Sequence, residues 1–389
     1  MIRIALFATI LAIASTATSA FETKATAAFV IDQTTGTILL DKNADTPLPP
    51  ASMSKLMTLY MAFDAVRRGR SEGGLDLNEA LPVSEHAQSY GGSSMFLQSG
   101  ESIKVEDLLR GIVVLSGNDA CVVIAEALSP DGTEYGFARL MTQRAQDMGM
   151  TNSTFTNASG WPQAGHLMSM RDLATLADGL ITDFPEFYPL FAETEFAFDN
   201  RVPSNRLNRN PVLKMGIGAD GLKTGHTQEA GYGLVGSAKQ GDRRIIFVIT
   251  GLDSAAARAQ ESQAIVNWAF RQFTMRDVAV AGQEFAQAEV WMGKAPTVGL
   301  VAGEDLSILM PALADTKIEA EVVFTGPVEA PIAKGDALAE LVFTPEGLPE
   351  VRLPLVASAT VPTGGFVSRM TTAARVLFAT LVEGPEEQS

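Results

Sequence analysis

Hydrophobic and polar positions change texture several times along the chain. Residues 4–14 form an apolar run behind Arg3, and only small residues follow through 20. Two apolar runs within 27–41 flank Thr34-Thr35-Gly36 and predict a β-hairpin. Apolar residues recurring every three to four positions predict helices over 52–66, 105–114, 119–128, 135–148, 171–180 and 254–273. Residues 232–238 and 243–251 read as adjacent strands that turn at Gly241-Asp242. Between these lies 152–168, rich in Asn, Ser, Thr and Gly, which reads as a loop. From 278 to 361 short Val, Ile, Leu and Phe runs alternate with Gly, Pro and Asp, an all-β texture. Finally, Phe366, Met370, Ala373, Leu377 and Leu381 share one helix face, bounded by Gly364-Gly365 and Gly384-Pro385.

These textures divide the chain into 1–20, 21–275, 276–363 and 364–389. The first reads as an export signal cut after Ala20, because its apolar run is too short to cross about 30 Å of hydrocarbon. The last reads as an amphipathic helix lying in a membrane interface, since two Arg in 17 residues suit neither a span nor a deep core. Packing on its own domain is the alternative. An exported chain held peripherally on a membrane surface is the expectation.

Composition narrows the function. With 29 Lys+Arg against 45 Asp+Glu the net charge is −16, which argues against non-specific nucleic-acid binding. An apolar content of 46% excludes wholesale disorder. A single Cys excludes an internal disulfide and a thiolate metal site, and three His without HExxH leave no ligand set, so no metal or cofactor is expected.

Three short motifs carry candidate chemistry. Ser52-Met53-Ser54-Lys55 opens a predicted helix, and Ser52 and Lys55, three apart, share one face. A serine needs an adjacent base, and a lysine serves if burial or neighbouring cations lower its pKa. The Ser52 N–H, at a helix start, is free for an oxyanion. Ser116-Gly117-Asn118 places a hydroxyl and an amide on one turn between helices. Lys223-Thr224-Gly225-His226 precedes a strand, where Lys and Thr can bind a carboxylate and Gly225 admits a substrate backbone. Singly, these read as a helix start with a surface Lys, an ordinary turn, and an edge strand with a protective Lys. Together, in this order, they are the motif set of penicillin-binding proteins and serine β-lactamases.

The match extends to PPASMSKLMT (49–58), GGSSMFLQSGE (91–101), DLLRGIVVLSGNDACVVIAE (107–126), MSMRDLATLA (168–177), NRNPVL (208–213) and DGLKTGHTQEAGYGLVGSA (220–238). Over about 27–275 the chain resembles the low-molecular-mass D-alanyl-D-alanine carboxypeptidases of peptidase family S11. The resemblance implies an α/β (α+β) transpeptidase-like catalytic domain with an antiparallel sheet flanked by helices, then a small all-β domain and an amphipathic anchor. It implies that Ser52 attacks the carbonyl between the terminal D-alanines of a peptidoglycan stem peptide while Lys55 takes its proton. Ser116 would pass a proton to the leaving nitrogen. Asn118 would bind substrate backbone and orient Lys55. Lys223, Thr224 and, in the Asn-Arg-Asn match, Arg209 would hold the free carboxylate; a surface Arg in a polar loop is the alternative for Arg209. The N–H groups of Ser52 and His226 would form the oxyanion hole, and β-lactams would acylate Ser52. A periplasmic location follows.

One departure from the family stands out: where a His-Gly pair is common, the chain reads Ser159-Gly160-Trp161-Pro162, and the role of His166 is open. His86 reads as a structural residue, and Cys121 as a free thiol, either simply buried or partly shielded near the cleft. A β-lactamase, a D,D-endopeptidase or a non-catalytic peptidoglycan-binding envelope protein are the competing readings. The absence of Glu from 151–179 and Ser-Gly-Asn in place of Ser-Asp-Asn disfavour the first.

Overall fold

The computed structural model describes residues 21–314, 320–345 and 347–365. The expected export signal and the helix over 366–382 lie outside the described residues.

The described chain opens with a hairpin, β1 (Ala27–Asp32) and β2 (Thr37–Lys42). Asp32 stabilises the turn by accepting from the Thr35 N–H at 3.0 Å, and Gly36 takes a φ of 72°. A 3-10 turn at Ala51–Ser54 runs into α1 (Lys55–Arg68). There follow β3 (Ala80–Pro82), α2 (Glu85–Ser89), β4 (Ser102–Lys104), α3 (Val105–Arg110), α4 (Asn118–Leu128), α5 (Glu134–Asp147) and α6 (Met170–Thr182). A meander of β5 (Ala219–Thr227), β6 (Gly231–Gln240) and β7 (Arg243–Leu252) leads to α7 (Ala255–Gln272). Helices α5, α6 and α7 begin at Thr133, Ser169 and Ser254, whose hydroxyls each accept a first-turn N–H.

Five strands form one antiparallel sheet in the order β2-β1-β7-β6-β5. Both its faces are covered. On one, Ile245, Phe247 and Ile249 pack with Ile265, Val266 and Ala269 of α7. On the other, Ile246 and Val248 share a core with Met57 of α1 and Leu173 of α6. This is why 243–251 reads as an almost continuous apolar run rather than an alternating one. Helix α1 is buried along most of its length, with Leu56, Met57, Leu59 and Phe63 fully enclosed, and α4, α5 and α6 pack around it.

Helix α3 is shorter than the helix expected over 105–114. At Gly111 the coil widens into a π turn that runs to Leu115, and Ser116 adopts a φ of 61°. The sulfur of Met95 occupies the space a side chain at 111 would need, so glycine is required where the coil widens. That widening sets where Ser116 and Asn118 stand.

The all-β texture becomes β8 (Phe273–Ala279), β9 (Glu284–Trp291), β10 (Thr297–Ala302), β11 (Leu306–Pro311), β12 (Ala320–Val323), β13 (Val328–Glu329), β14 (Ala337–Phe343) and β15 (Val351–Ala357). Six of these form a sheet ordered β12-β14-β15-β10-β9-β13, and β8 pairs with β11. Leu300, Ile308, Leu341, Phe343 and Leu355 lie in its core. Strand β8 starts at the residue after α7 ends. Arg243 fastens that junction: it donates to Phe273 O at 2.7 Å and Ala269 O at 2.8 Å, and its Nε pairs with the buried Asp32 carboxylate.

Candidate active site

Ser52 stands in the 3-10 turn and Lys55 is the first residue of α1, so the spacing of three brings their side chains together. The Lys55 side chain is fully buried. Its Nζ lies 2.8 Å from Ser52 Oγ, 2.7 Å from Asn118 Oδ1 and 2.6 Å from the Ser159 carbonyl oxygen. Burial pushes Lys55 down to about 8; Arg209 adds to this, while Asp119 and Glu134 oppose it. The three partners differ in kind. Asn118 Oδ1 and Ser159 O can only accept. A neutral amine has two N–H bonds and one lone pair. Given to those acceptors, the two N–H bonds leave the lone pair facing Ser52, the one partner with a proton to surrender.

Asn118, at the start of α4, is held from the far side: its Nδ2 donates to Gly91 O at 2.7 Å and its backbone N–H to Ser93 O at 2.8 Å. Ser116 is buried beside it in the left-handed conformation. Asp119, which sequence reasoning passed over, braces the facing segment. Its carboxylate accepts from Ser94 Oγ (2.6 Å) and from the N–H groups of Met95 (2.9 Å) and Leu97 (3.1 Å).

The opposite wall is β5, the last strand of its sheet. Lys223 and Thr224 are both buried there, and His226 is exposed with its ring stacked on Tyr232 at 3.8 Å. A side chain at 225 would come within 2.9 Å of Pro50 O and 3.0 Å of Met53, so glycine lets β5 lie against the turn that carries Ser52. Burial, then Lys55 and Arg209, hold Lys223 well below the ordinary lysine range. Arg209 donates to Ser93 Oγ at 2.9 Å and Leu115 O at 2.7 Å, which places it across the cleft and not loose in a polar loop. A fourth cation joins these. Arg258 of α7 donates to Arg209 O at 3.2 Å and lies over the Tyr232 ring; burial, then Arg209, push it down to about 10. On an amphipathic helix it reads only as part of a polar face. Arg209 depresses the other three basic groups, and the cluster forms a site suited to an anion.

The 152–168 segment closes the back. Asn157 Oδ1 accepts from the N–H groups of Ser159 (3.1 Å), Gly160 (2.8 Å) and Trp161 (3.1 Å), which turns the Ser159 carbonyl toward Lys55. Gly160 has a φ of 76°, and a methyl there would overlap the Ala51 carbonyl. The group this turn gives to Lys55 is the Ser159 backbone oxygen, not a side chain. His166, whose role was open, sits beneath the turn that carries Ser52. Its Nδ1 accepts the Thr156 N–H at 3.1 Å, so Nε2 carries the proton and donates to Ser54 Oγ at 2.7 Å. Burial and the Lys55 charge push His166 down to about 4, so it is neutral at neutral pH. His86 meets Glu134 at 2.9 Å. Of the two expectations for Cys121, the buried free thiol holds and partial exposure does not: the side chain has no exposed surface, and burial pushes its thiol up to about 12.

Comparison with known proteins accords with this arrangement. Residues 14–254 match the D-alanyl-D-alanine carboxypeptidase family, peptidase S11, and 273–363 match the penicillin-binding protein 5 C-terminal domain. D-alanyl-D-alanine carboxypeptidase DacC of Escherichia coli is 35% identical over 350 residues, 88% of this chain and 85% of that one. Among solved structures, penicillin-binding protein 5 from Haemophilus influenzae superposes with a TM-score of 0.75 at 31% identity, covering 88% of this chain and 98% of the other. Penicillin-binding protein D2 from Listeria monocytogenes, in its ampicillin-bound form, gives 0.56 at 30% identity, over 64% of this chain and 98% of the other. The chain belongs to the peptidase S11 family of D-alanyl-D-alanine carboxypeptidases.

Proposed function

We propose that the chain is a serine-type carboxypeptidase that removes the terminal D-alanine from peptidoglycan stem pentapeptides. The observation that carries this reading is the Lys55 amine, whose two acceptor-only partners leave its lone pair for Ser52. Lys223, Thr224 and Arg209 hold the substrate's free carboxylate, and Arg258 adds to the positive field. Ser52 Oγ attacks the carbonyl carbon of the D-Ala–D-Ala bond as Lys55 takes the hydroxyl proton. The N–H groups of Ser52 and His226 receive the oxyanion. The C–N bond then breaks, Ser116 relays a proton to the departing nitrogen, and D-alanine leaves. Water hydrolyses the ester on Ser52 and restores its hydroxyl. A β-lactam enters the same path, but its leaving nitrogen stays tethered, so the ester persists.

The test is intact-protein mass spectrometry with penicillin, beside release of D-alanine from a pentapeptide. The expected result is one stable adduct on Ser52, with adduct and release both abolished in Ser52→Ala. A Ser52→Ala chain that still releases D-alanine would refute the reading, and rapid turnover of penicillin without a stable adduct would favour a β-lactamase.

The proposed organisation is a signal over 1–20, a catalytic unit over 21–275, a β-rich unit over 276–363 and an anchor over 364–389. Among the described residues no helix is long and apolar enough to cross a membrane. We place the chain in the periplasm, on the membrane surface through its terminal helix. Truncation after Gly364 should release the protein from membranes with its activity intact; unchanged fractionation would count against the anchor.

A further inference from the structure

Behind the catalytic lysine lies an acidic residue that the mechanism above does not use. Glu134 opens α5 and is buried. It accepts from Tyr90 Oη at 2.8 Å and 2.9 Å, from His86 Nε2 at 2.9 Å, and from the Ala158 N–H at 2.9 Å. Ala158 precedes the residue whose carbonyl lies 2.6 Å from Lys55 Nζ. The same short stretch is tied on its other side to α1, where Thr58 Oγ1 donates to Ala158 O at 2.6 Å. Asn157 shapes this turn from within. Glu134 reaches it from α5, and Thr142 of the same helix holds Phe155 just upstream by accepting its N–H at 3.0 Å.

We propose that Glu134 is a positioning residue for Lys55: by holding the Ala158 N–H it fixes the Ser159 carbonyl, which with Asn118 Oδ1 aims the lysine lone pair at Ser52. This rests on the reading of Ser52 and Lys55 as nucleophile and base. If the Ser159 carbonyl drifts, the amine gains freedom to turn its lone pair away from the serine, and acylation slows while carboxylate binding does not. The charge of Glu134 acts in a second, separable way. The groups facing Lys55 are Asp119 and Cys121 of α4, Lys223 of β5, Arg209 of the strand-preceding loop, neutral His166 and Glu134. Glu134 is one of the groups that favour the protonated amine, so its neutralisation frees the base at lower pH.

The experiment is penicillin acylation of Ser52, followed by mass spectrometry across pH, for the full chain and the variants Glu134→Ala and Glu134→Gln. Glu134→Ala should lower the saturating acylation rate roughly ten- to hundredfold with an unchanged half-saturating concentration, the scale at which small misplacements act. Glu134→Gln keeps an acceptor for the Ala158 N–H; it should recover most of the rate and move the acid limb of the profile to lower pH. Glu134→Ala acylating at the parental rate would overturn the proposal. So would a Glu134→Gln chain that loses the acylation rate as fully as Glu134→Ala, and Glu134→Asp, whose shorter side chain draws the carboxylate back from the Ala158 N–H, takes the place of Glu134→Ala if that variant does not fold. A parent chain that forms no Ser52 adduct would refute the functional reading itself, which is a distinct outcome.

Discussion

Lys55 has no exposed surface, and the hydrogen bonds of its ammonium go to one hydroxyl and two pure acceptors. Burial brings it down to about 8 from the ordinary 10.5. Acylation requires the neutral amine, so the rate should climb with pH and reach half its plateau near about 8. The check is the penicillin acylation rate from pH 5 to 10; a flat profile would separate Lys55 from proton removal. The pair Ser52 and Lys55 was legible in the sequence because a spacing of three puts both on one helix face and Ser-Gly-Asn and Lys-Thr-Gly follow in order. The Ser159 carbonyl was not, since a backbone acceptor leaves no signature in residue type. Glu134 and Arg258 were equally hidden: an acid at a helix start and an Arg on a polar face are the commonest of features, and only tertiary packing aims them inward.

The loop over 152–168 acts as one element because its ends and middle are all pinned. His166 ties it to Ser54, Asn157 shapes it, and backbone bonds join Thr154 with Leu167 and Leu48 with Met168. The pinning has a pH signature. The folded chain keeps His166 neutral down to about 4, whereas an unfolded chain binds that proton from about 6.5 downward. Between those values the unfolded state holds more protons, so stability is complete above 6.5 and falls as pH drops toward 4, by roughly 3 kcal/mol at the end. Denaturant midpoints measured at pH 7, 5.5 and 4 should show this decline. A His166→Gln chain should start less stable but decline less over the same range; equal slopes would contradict the argument. Sequence composition identified the segment as a loop, and the physical reason it is rigid lay in partners far away along the chain.

At the scale of the molecule, helix and strand periodicity placed the main elements within a few residues, and the β-rich texture after 278 became the second sheet system. The misplaced boundary at 114 reflects the π turn over Gly111–Leu115, which no local pattern reports. The order of strands in the five-stranded sheet came into view with the structure, since β1 pairs with β7 across more than 200 residues. Arg243 and Asp32 secure that long-range closure and the departure of β8 together. Arg243→Met leaves the Asp32 carboxylate buried without its cation, which should cost about 3–5 kcal/mol in urea unfolding. Asp32→Asn in the same chain should restore part of it. No loss in the single variant would mean the pair is not the fastener described.

Strand β5 ends the sheet order, and nothing in that order continues beyond it. A peptide laid along Lys223–Thr227 would serve as a sixth strand, read through main-chain groups instead of side-chain pockets. An enzyme that recognises its substrate by completing its own sheet is indifferent to much of what hangs from that substrate. Bound that way, the substrate would be sensed above all where its chain stops, at Lys223, Thr224 and Arg209. Variation in the middle of the stem peptide should therefore pass unnoticed, while amidation of the terminus should abolish recognition.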